Sequence, residues 1–203
     1  MMIIFICLLL LSYLIGCFNT SIVYSIGNYK KDIRTQGSGN PGATNMLRSF
    51  GKVSAAITFA GDLLKAVVAI GIAWLVFKDQ KNIELIKALM GLACVLGHCF
   101  PVFFKFKGGK GIATGSGCIL MLDWRVFLIA LALFALMVVL TKYVSLGSIV
   151  GALTYPIGIA ICGVSFNAVI VAILTTALVI YRHKKNIVAL FKGTERKIGS
   201  AKV

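Results

Sequence analysis

The sequence predicts an all-α integral membrane protein with about seven transmembrane helices. Three observations carry this. The chain of 203 residues is 59% hydrophobic, with a mean hydropathy of +0.96. Only 13% of its residues are charged, about half the share of an ordinary soluble domain. Apolar runs near or above ~18 residues, the length that crosses a bilayer, recur from one end to the other.

The first run, MMIIFICLLLLSYLIGCF, has neither a basic start nor an A-x-A-like cleavage site. It reads as a retained helix over 2–26 rather than a signal peptide. Further spans follow at 53–77, 84–103, 111–122, 125–141, 146–162 and 166–181, the fourth of them short. The longest polar stretch, near 28–52, is too short for a soluble domain. A single polytopic domain over 1–203 is therefore expected, with cytoplasmic motif loops at 28–52, 104–115, 141–148 and 182–203. Cys7, Cys17, Cys94, Cys99, Cys118 and Cys162 lie in or beside apolar segments without a C-x-x-C pair. They read as small buried apolar residues, not as disulfides or metal ligands.

The net charge of +15 invites a nucleic-acid reading, but topology accounts for most of it. Of the 21 Lys and Arg, sixteen fall in one set of alternate loops and the tail, four fall in the other set, and Lys65 lies inside a span. The positive-inside rule then puts the sixteen in the cytoplasm, with the N-terminus outside and the C-terminus inside. Attraction to anionic headgroups adds to the same bias.

Orientation needs only Lys and Arg, yet three cytoplasmic segments embed them in Gly, Ser and Asn. "TQGSGNPGATNMLRSFGK", residues 35–52, is a turn-rich loop feeding a short helix, with Asn45 and Arg48 three apart on one face. Free N–H groups around Ser38, Gly39 and Asn40, together with a helix start, suit an anion, and Arg48 adds a fork for phosphate. "FKFKGGKGIATG", residues 104–115, supplies Lys107 and Lys110 around Gly108, Gly109 and Gly111. Glycine lets backbone approach a phosphate, and lysine supplies point charge. It is not a Walker A loop, because Gly111 follows Lys110 where Ser or Thr is required. The third segment is "TKYVSLGS" with the tail "YRHKKNIVALFKGTERKIG", where Ser145 and Ser148, and His183 and Asn186, sit three apart.

Some patterns are missing. Neither histidine is followed by H-x-x-x-x-D, since Phe103 and Val188 stand at those places. No His/Cys/Asp/Glu cluster has metal-ligand spacing. His98 reads as a structural histidine, and Asp62 and Lys65, one turn apart, as an ion pair facing the bundle interior.

"GSGNPGATNMLR", "GHCFPVFFKFKGGKGIATG", "YVSLGS" and "RHKKNIVALFKGTERKIG" together closely resemble the PlsY family of bacterial membrane glycerol-3-phosphate acyltransferases, in order and over essentially the whole chain. The resemblance implies seven helices with a cytoplasmic-facing site in the bacterial inner membrane. It implies transfer of an acyl group from acyl phosphate to the 1-position of glycerol 3-phosphate, giving lysophosphatidic acid and inorganic phosphate, the start of phospholipid synthesis. Neither a metal nor any other cofactor is expected, nor a nucleic acid; the partners are the two substrates and the bilayer, and the protein is expected to be a monomer.

For individual residues, the resemblance implies that Ser38 and Arg48 matter for activity through phosphate contacts, with Gly39, Asn40 and Asn45 beside them. It implies that Gly108, Gly109, Lys110 and Gly111 bind glycerol 3-phosphate, assisted by Lys107. Ser148, His183 and Asn186 line the site, and Glu195 is structural. On this division, Gly109→Ala raises the KM for glycerol 3-phosphate more than that for acyl phosphate. Two candidates for the general base stay open, His183 and a substrate phosphate oxygen. The competing class is a transporter of a phosphorylated metabolite. Against it stand the lack of an internal repeat and the gathering of polar motifs at one membrane face.

Overall fold

The first helix is broken where its sequence turns polar. α1 (Met2–Cys17) ends and α2 (Thr20–Tyr29) begins just beyond it, in a computed structural model that describes residues 1–199. Asn19 caps α2, its side chain accepting from the Ile22 N–H at 3.2 Å. The Phe18 carbonyl at the break accepts from Lys65 Nζ at 2.9 Å. Unwound backbone at membrane depth is tolerated only where protein groups satisfy it, and Lys65 does so here. The span expected over 2–26 is present as these two helices, which together run over 2–29.

A 3₁₀ turn at Ile33–Thr35 and a glycine-rich loop lead into α3 (Ala43–Phe50). Then come α4 (Lys52–Phe77), α5 (Ile83–Cys99), a second 3₁₀ turn (Val102–Phe104) and α6 (Ile112–Leu122). α7 (Trp124–Thr141), α8 (Val144–Ile161), α9 (Phe166–Arg182) and α10 (Lys184–Phe191) complete the fold. There is no strand among the described residues.

By length and composition 5 segments suffice to cross a membrane: 2–29, 52–77, 83–104, 124–141 and 144–161. α9 and α10, bent by 59° at their joint, make a sixth when taken together. α6 has 11 residues and rises about 16 Å, roughly half of a ~30 Å hydrocarbon core. It survives because it is enclosed: Thr114, Gly117 and Cys118 are buried, and Gly117 lies against the Leu63 carbonyl of α4.

The interior is built from small residues that let helices approach closely. α1 and α5 cross where Gly16 meets the Cys94 backbone and Gly97 meets that of Tyr13. Ile70, Met90, Val95 and Ile159 fill the core between them. Large apolar side chains such as Leu10, Leu75, Ile129, Leu140 and Leu174 face outward, as lipid-facing positions require.

The helices have two distinct ends. At one, Glu84 at the start of α5 accepts from the Ser165 N–H between α8 and α9 at 2.7 Å. At the other, the polar motif loops meet. Arg34 Nη1 donates to the Phe104 carbonyl at 3.2 Å, and the Ile198 N–H of the tail donates to the Lys142 carbonyl at 2.8 Å.

Candidate active site

The second motif loop is held from behind by a residue whose role the sequence did not signal. Arg182, the last residue of α9, donates from Nε to the Gly109 carbonyl at 3.0 Å and from Nη2 to the Gly108 carbonyl at 2.8 Å. Its guanidinium also lies 5.2 Å from the centre of the Phe100 ring. The Gly109 N–H donates to the His98 carbonyl at 3.1 Å. The N–H groups of Lys110 and Gly111, at the start of α6, have no partner among the described residues. A loop of this kind ahead of a helix N-terminus is suited to an anion.

The glycines allow close packing around the loop. A Cβ at Gly108 would run into the His98 carbonyl and Pro101, and one at Gly109 into the His98 ring and the Pro41 carbonyl. Gly109 thus lets the two motif loops meet at Pro41, and Gly108 lets the second loop fold back on the end of α5. Gly111, at φ +87°, turns the chain into α6, a conformation that favours glycine. Lys107 is exposed and does not line the cleft.

Lys110 donates to Asn186 Oδ1, and Asn186 Nδ2 donates to Glu195 Oε1 at 2.8 Å. Glu195 thereby fixes an amide that fixes the lysine. Burial lowers the Lys110 ammonium to about 8; Glu195 opposes the shift, while Arg48 and Arg182 add to it.

In the first loop, Asn45 is buried and its amide is fully engaged. Nδ2 donates to the Ile33 and Gln36 carbonyls at 3.2 and 2.9 Å, and Oδ1 accepts from the Ser38 N–H at 3.0 Å. Asn45 shapes the loop and lines the cleft with its amide already engaged. The Gly39 N–H is likewise taken, by the Gln36 carbonyl at 2.9 Å. Ser38, Gly39, Asn40 and Arg48 all line the cleft. The Asn40 N–H lies 3.5 Å from Ser38 Oγ, and Arg48 Nη2 donates to the Arg196 carbonyl at 3.1 Å, tying the tail across the mouth.

His183 lies just beyond the end of α9 and is buried. Its Nδ1 is 2.8 Å from the Val179 carbonyl, which accepts a hydrogen bond and so leaves Nε2 as the ring's acceptor. Burial, reinforced by Lys110, holds the imidazole down to about 4. It is neutral near pH 7. Ser148 lines the cleft on α8, its hydroxyl donating to the Val144 carbonyl at 2.9 Å.

Beneath the glycine loop is a buried network. Lys65 Nζ lies 2.7 Å from Asp62 Oδ1 and 2.9 Å from His98 Nδ1, and it also serves the Phe18 carbonyl. The Thr20 N–H and hydroxyl donate to Asp62 as well, at 3.3 and 3.1 Å. The expected Asp62/Lys65 pair is present, and His98 joins it.

These parts surround one cleft of about 910 Å³. Its mouth carries Ser38, Arg48, Lys110, His183 and Asn186. Its depth runs between α6, α7, α8 and α9, lined by Ile119, Phe127, Phe134, Ala152 and Val179. A cationic mouth opening directly into an apolar trough suits a molecule with a phosphate at one end and a hydrocarbon chain at the other.

Such a fold and site define a membrane enzyme that handles phosphorylated lipid. The glycerol-3-phosphate acyltransferase family model matches residues 6–193. A glycerol-3-phosphate acyltransferase of Thermoanaerobacter pseudethanolicus is 43% identical over 190 residues, covering 94% of this chain and 93% of the relative. One of Clostridioides difficile is 43% identical over 199 residues, covering 98% and 97%. Crystal structures of PlsY, an integral membrane glycerol 3-phosphate acyltransferase, match in two forms. The glycerol 3-phosphate form has a TM-score of 0.90 at 35% identity, covering 96% of each chain. The lysophosphatidic acid form has a TM-score of 0.87 at 35% identity, covering 96% and 95%. The chain belongs to the glycerol-3-phosphate acyltransferase family.

Proposed function

We propose that this enzyme transfers an acyl group from an acyl phosphate to the 1-hydroxyl of glycerol 3-phosphate, the first step of phospholipid synthesis. The observation that carries the reading is the single cleft joining a phosphate cradle to an apolar trough. Both substrates bear phosphate, and one bears a chain that needs the trough. Two crystal forms of PlsY, one with glycerol 3-phosphate and one with lysophosphatidic acid, support the pairing of acceptor and product.

In the step, the glycerol oxygen bonds to the acyl carbonyl carbon as its proton passes to His183 Nε2. The bond from that carbon to the phosphate oxygen then breaks, phosphate leaves with the electron pair, and it takes up the proton from His183. Acyl phosphate is a mixed anhydride, so positioning and neutralising charge supply most of the rate. Lys110 and Arg48 supply that charge, and Ser38 a hydroxyl donor. Asn186 holds Lys110, Glu195 holds Asn186, and Ser148 shapes the wall.

The whole of 1–203 acts as one membrane domain and works as a monomer in the bacterial inner membrane. Seven crossings, with the N-terminus outside and the cleft facing the cytoplasm, fit the excess of Lys and Arg at the cleft end. α6 contributes the short crossing: it starts at the glycine loop and ends at Asp123.

Detergent-purified protein given palmitoyl phosphate should release inorganic phosphate only when glycerol 3-phosphate is present, with lysophosphatidic acid formed in equal amount and palmitoyl-CoA left unused. A folded preparation that releases none sinks the reading, and uptake of glycerol 3-phosphate into vesicles becomes the next assay. The pH profile offers a second test. Lys110 is charged below about 8 in the free enzyme, and only the charged form attracts phosphate. Hence kcat/KM for glycerol 3-phosphate falls as pH rises through about 8. Bound phosphate stabilises the ammonium, so the basic limb of kcat lies higher. Two limbs at the same pH would remove Lys110 from the binding role.

A further inference from the structure

Lys65 determines which nitrogen of His98 carries the proton. An ammonium has three donors and no acceptor. All three are accounted for: Asp62 Oδ1 at 2.7 Å, the Phe18 carbonyl at 2.9 Å and His98 Nδ1 at 2.9 Å. Asp62 Oδ1 is 3.7 Å from His98 Nδ1, too far to take a proton from it. Nδ1 must therefore accept from Lys65, and the neutral ring must carry its proton on Nε2. The ring is nearly fully buried, yet it lines the cleft, and its Nε2 edge lies against Gly109 and has no partner among the described residues.

His183 is the mirror case, bonded through Nδ1–H to Val179 and left with an acceptor. The cleft thus holds two neutral imidazoles of opposite tautomer, one able only to accept and one only to donate.

We propose that His98 is a substrate-binding donor, its Nε2–H directed at an oxygen of the glycerol 3-phosphate phosphoryl group held at the Lys110–Gly111 turn. The proposal rests on the acyl-transfer reading above and adds a contact to it. A neutral donor suits this place, since the cradle already holds Lys110 and Arg48, with Arg182 behind the loop, and a further cation would repel them. The Lys65–Asp62 pair acts through His98 as a positioning device, because it fixes the tautomer without reaching the mouth.

The test uses two replacements with opposite defects. In His98→Asn the amide oxygen takes the place of Nδ1, keeping the Lys65 bond while deleting the donor at the cleft. In His98→Gln the amide nitrogen takes the place of Nε2, keeping the donor while losing the bond to Lys65. The expected result is a His98→Asn protein that unfolds near the parent temperature but whose KM for glycerol 3-phosphate rises about 10- to 100-fold, the loss of one hydrogen bond to a charged group. Its KM for palmitoyl phosphate stays the same. His98→Gln melts lower, but its KM for glycerol 3-phosphate rises much less than that of His98→Asn.

A purely structural His98 gives the reverse order, and that outcome overturns the proposal. A rise confined to palmitoyl phosphate overturns it too. If the parent itself does not turn over, the acyl-transfer reading fails instead, so the two failures are distinct. A measurement on the unaltered protein stands independently of either variant. The chain has 2 histidines, so ¹⁵N spectra of histidine-labelled protein should show one ring protonated on Nε2 and one on Nδ1, with the Nε2–H signal moving when glycerol 3-phosphate is added. Two rings of the same tautomer, or an unmoved Nε2–H signal, would refute the assignment.

Discussion

Gly109→Ala is expected to abolish most acyl transfer and to do so for both substrates alike. The added Cβ meets the His98 ring on one side and the Pro41 carbonyl on the other. Neither is the far end of a flexible chain: His98 is locked by Lys65, and Pro41 is backbone of the first motif loop. The glycine loop has to move, pulling against the Arg182 bonds to the Gly108 and Gly109 carbonyls. A displacement near 1 Å costs about 10²-fold in rate where catalysis depends on position. Overpacking adds ~1–3 kcal/mol of destabilisation. Steady-state kinetics should show kcat down about 100-fold, with KM raised for both substrates. Gly71→Ala, which meets no atom in α4, should behave as the parent does and controls for the loss of a glycine as such. A rise in KM for glycerol 3-phosphate alone would restore the division suggested by the sequence, with the loop serving only that phosphate.

That change of expectation shows which features were legible in the residues. Helical membrane character and the gathering of polar motifs at one end follow from composition, charge bias and local texture, while Ser148, His183, Asn186 and Glu195 were marked by the family resemblance. The sequence also marked Asp62 and Lys65 as a pair, because charges three apart on a helix share a face. It could not show what lay across from them. His98 is 33 residues from Lys65, and the Phe18 carbonyl is 47 residues away. A backbone acceptor has no side-chain signature, so the bond from Lys65 to the Phe18 carbonyl was invisible; the break itself is marked by the Asn19 cap.

Arg182 was hidden for the same reason: its partners are the carbonyls of glycines more than 70 residues earlier. The loop-shaping bonds of Asn45 were hidden because an amide beside a glycine turn looks the same whether it faces substrate or its own loop. Glycine was the most ambiguous letter. Close approach to a phosphate and close approach to a histidine ring require the same absence of a Cβ.

Asp62→Leu is expected to give the largest loss of stability. It leaves the Lys65 ammonium buried without its counter-charge, and breaking one half of a buried pair costs about 3–5 kcal/mol. For a chain of this size that corresponds to roughly 10 °C in Tm, readable by thermal unfolding in detergent. It also strands the donors of Thr20, loosening the joint between α1 and α2. The double variant Asp62→Leu/Lys65→Met removes both charges and should recover much of the lost Tm, since apolar replacement of a buried pair is often near neutral. It should not recover activity. With Lys65 gone, nothing holds the His98 tautomer, and the Phe18 carbonyl loses its donor. Stability and turnover would then separate, as they must if the network stabilises the bundle through its charges and serves the cleft through His98. A transporter would use such an intramembrane pair differently, as a site that changes partners during each cycle. Here each ammonium proton already has a fixed partner, and the pair sits beneath a loop tied down by Arg182. If Asp62→Leu melts within a degree or two of the parent, the pair is not holding the fold, and a mobile, solvated role for it gains ground.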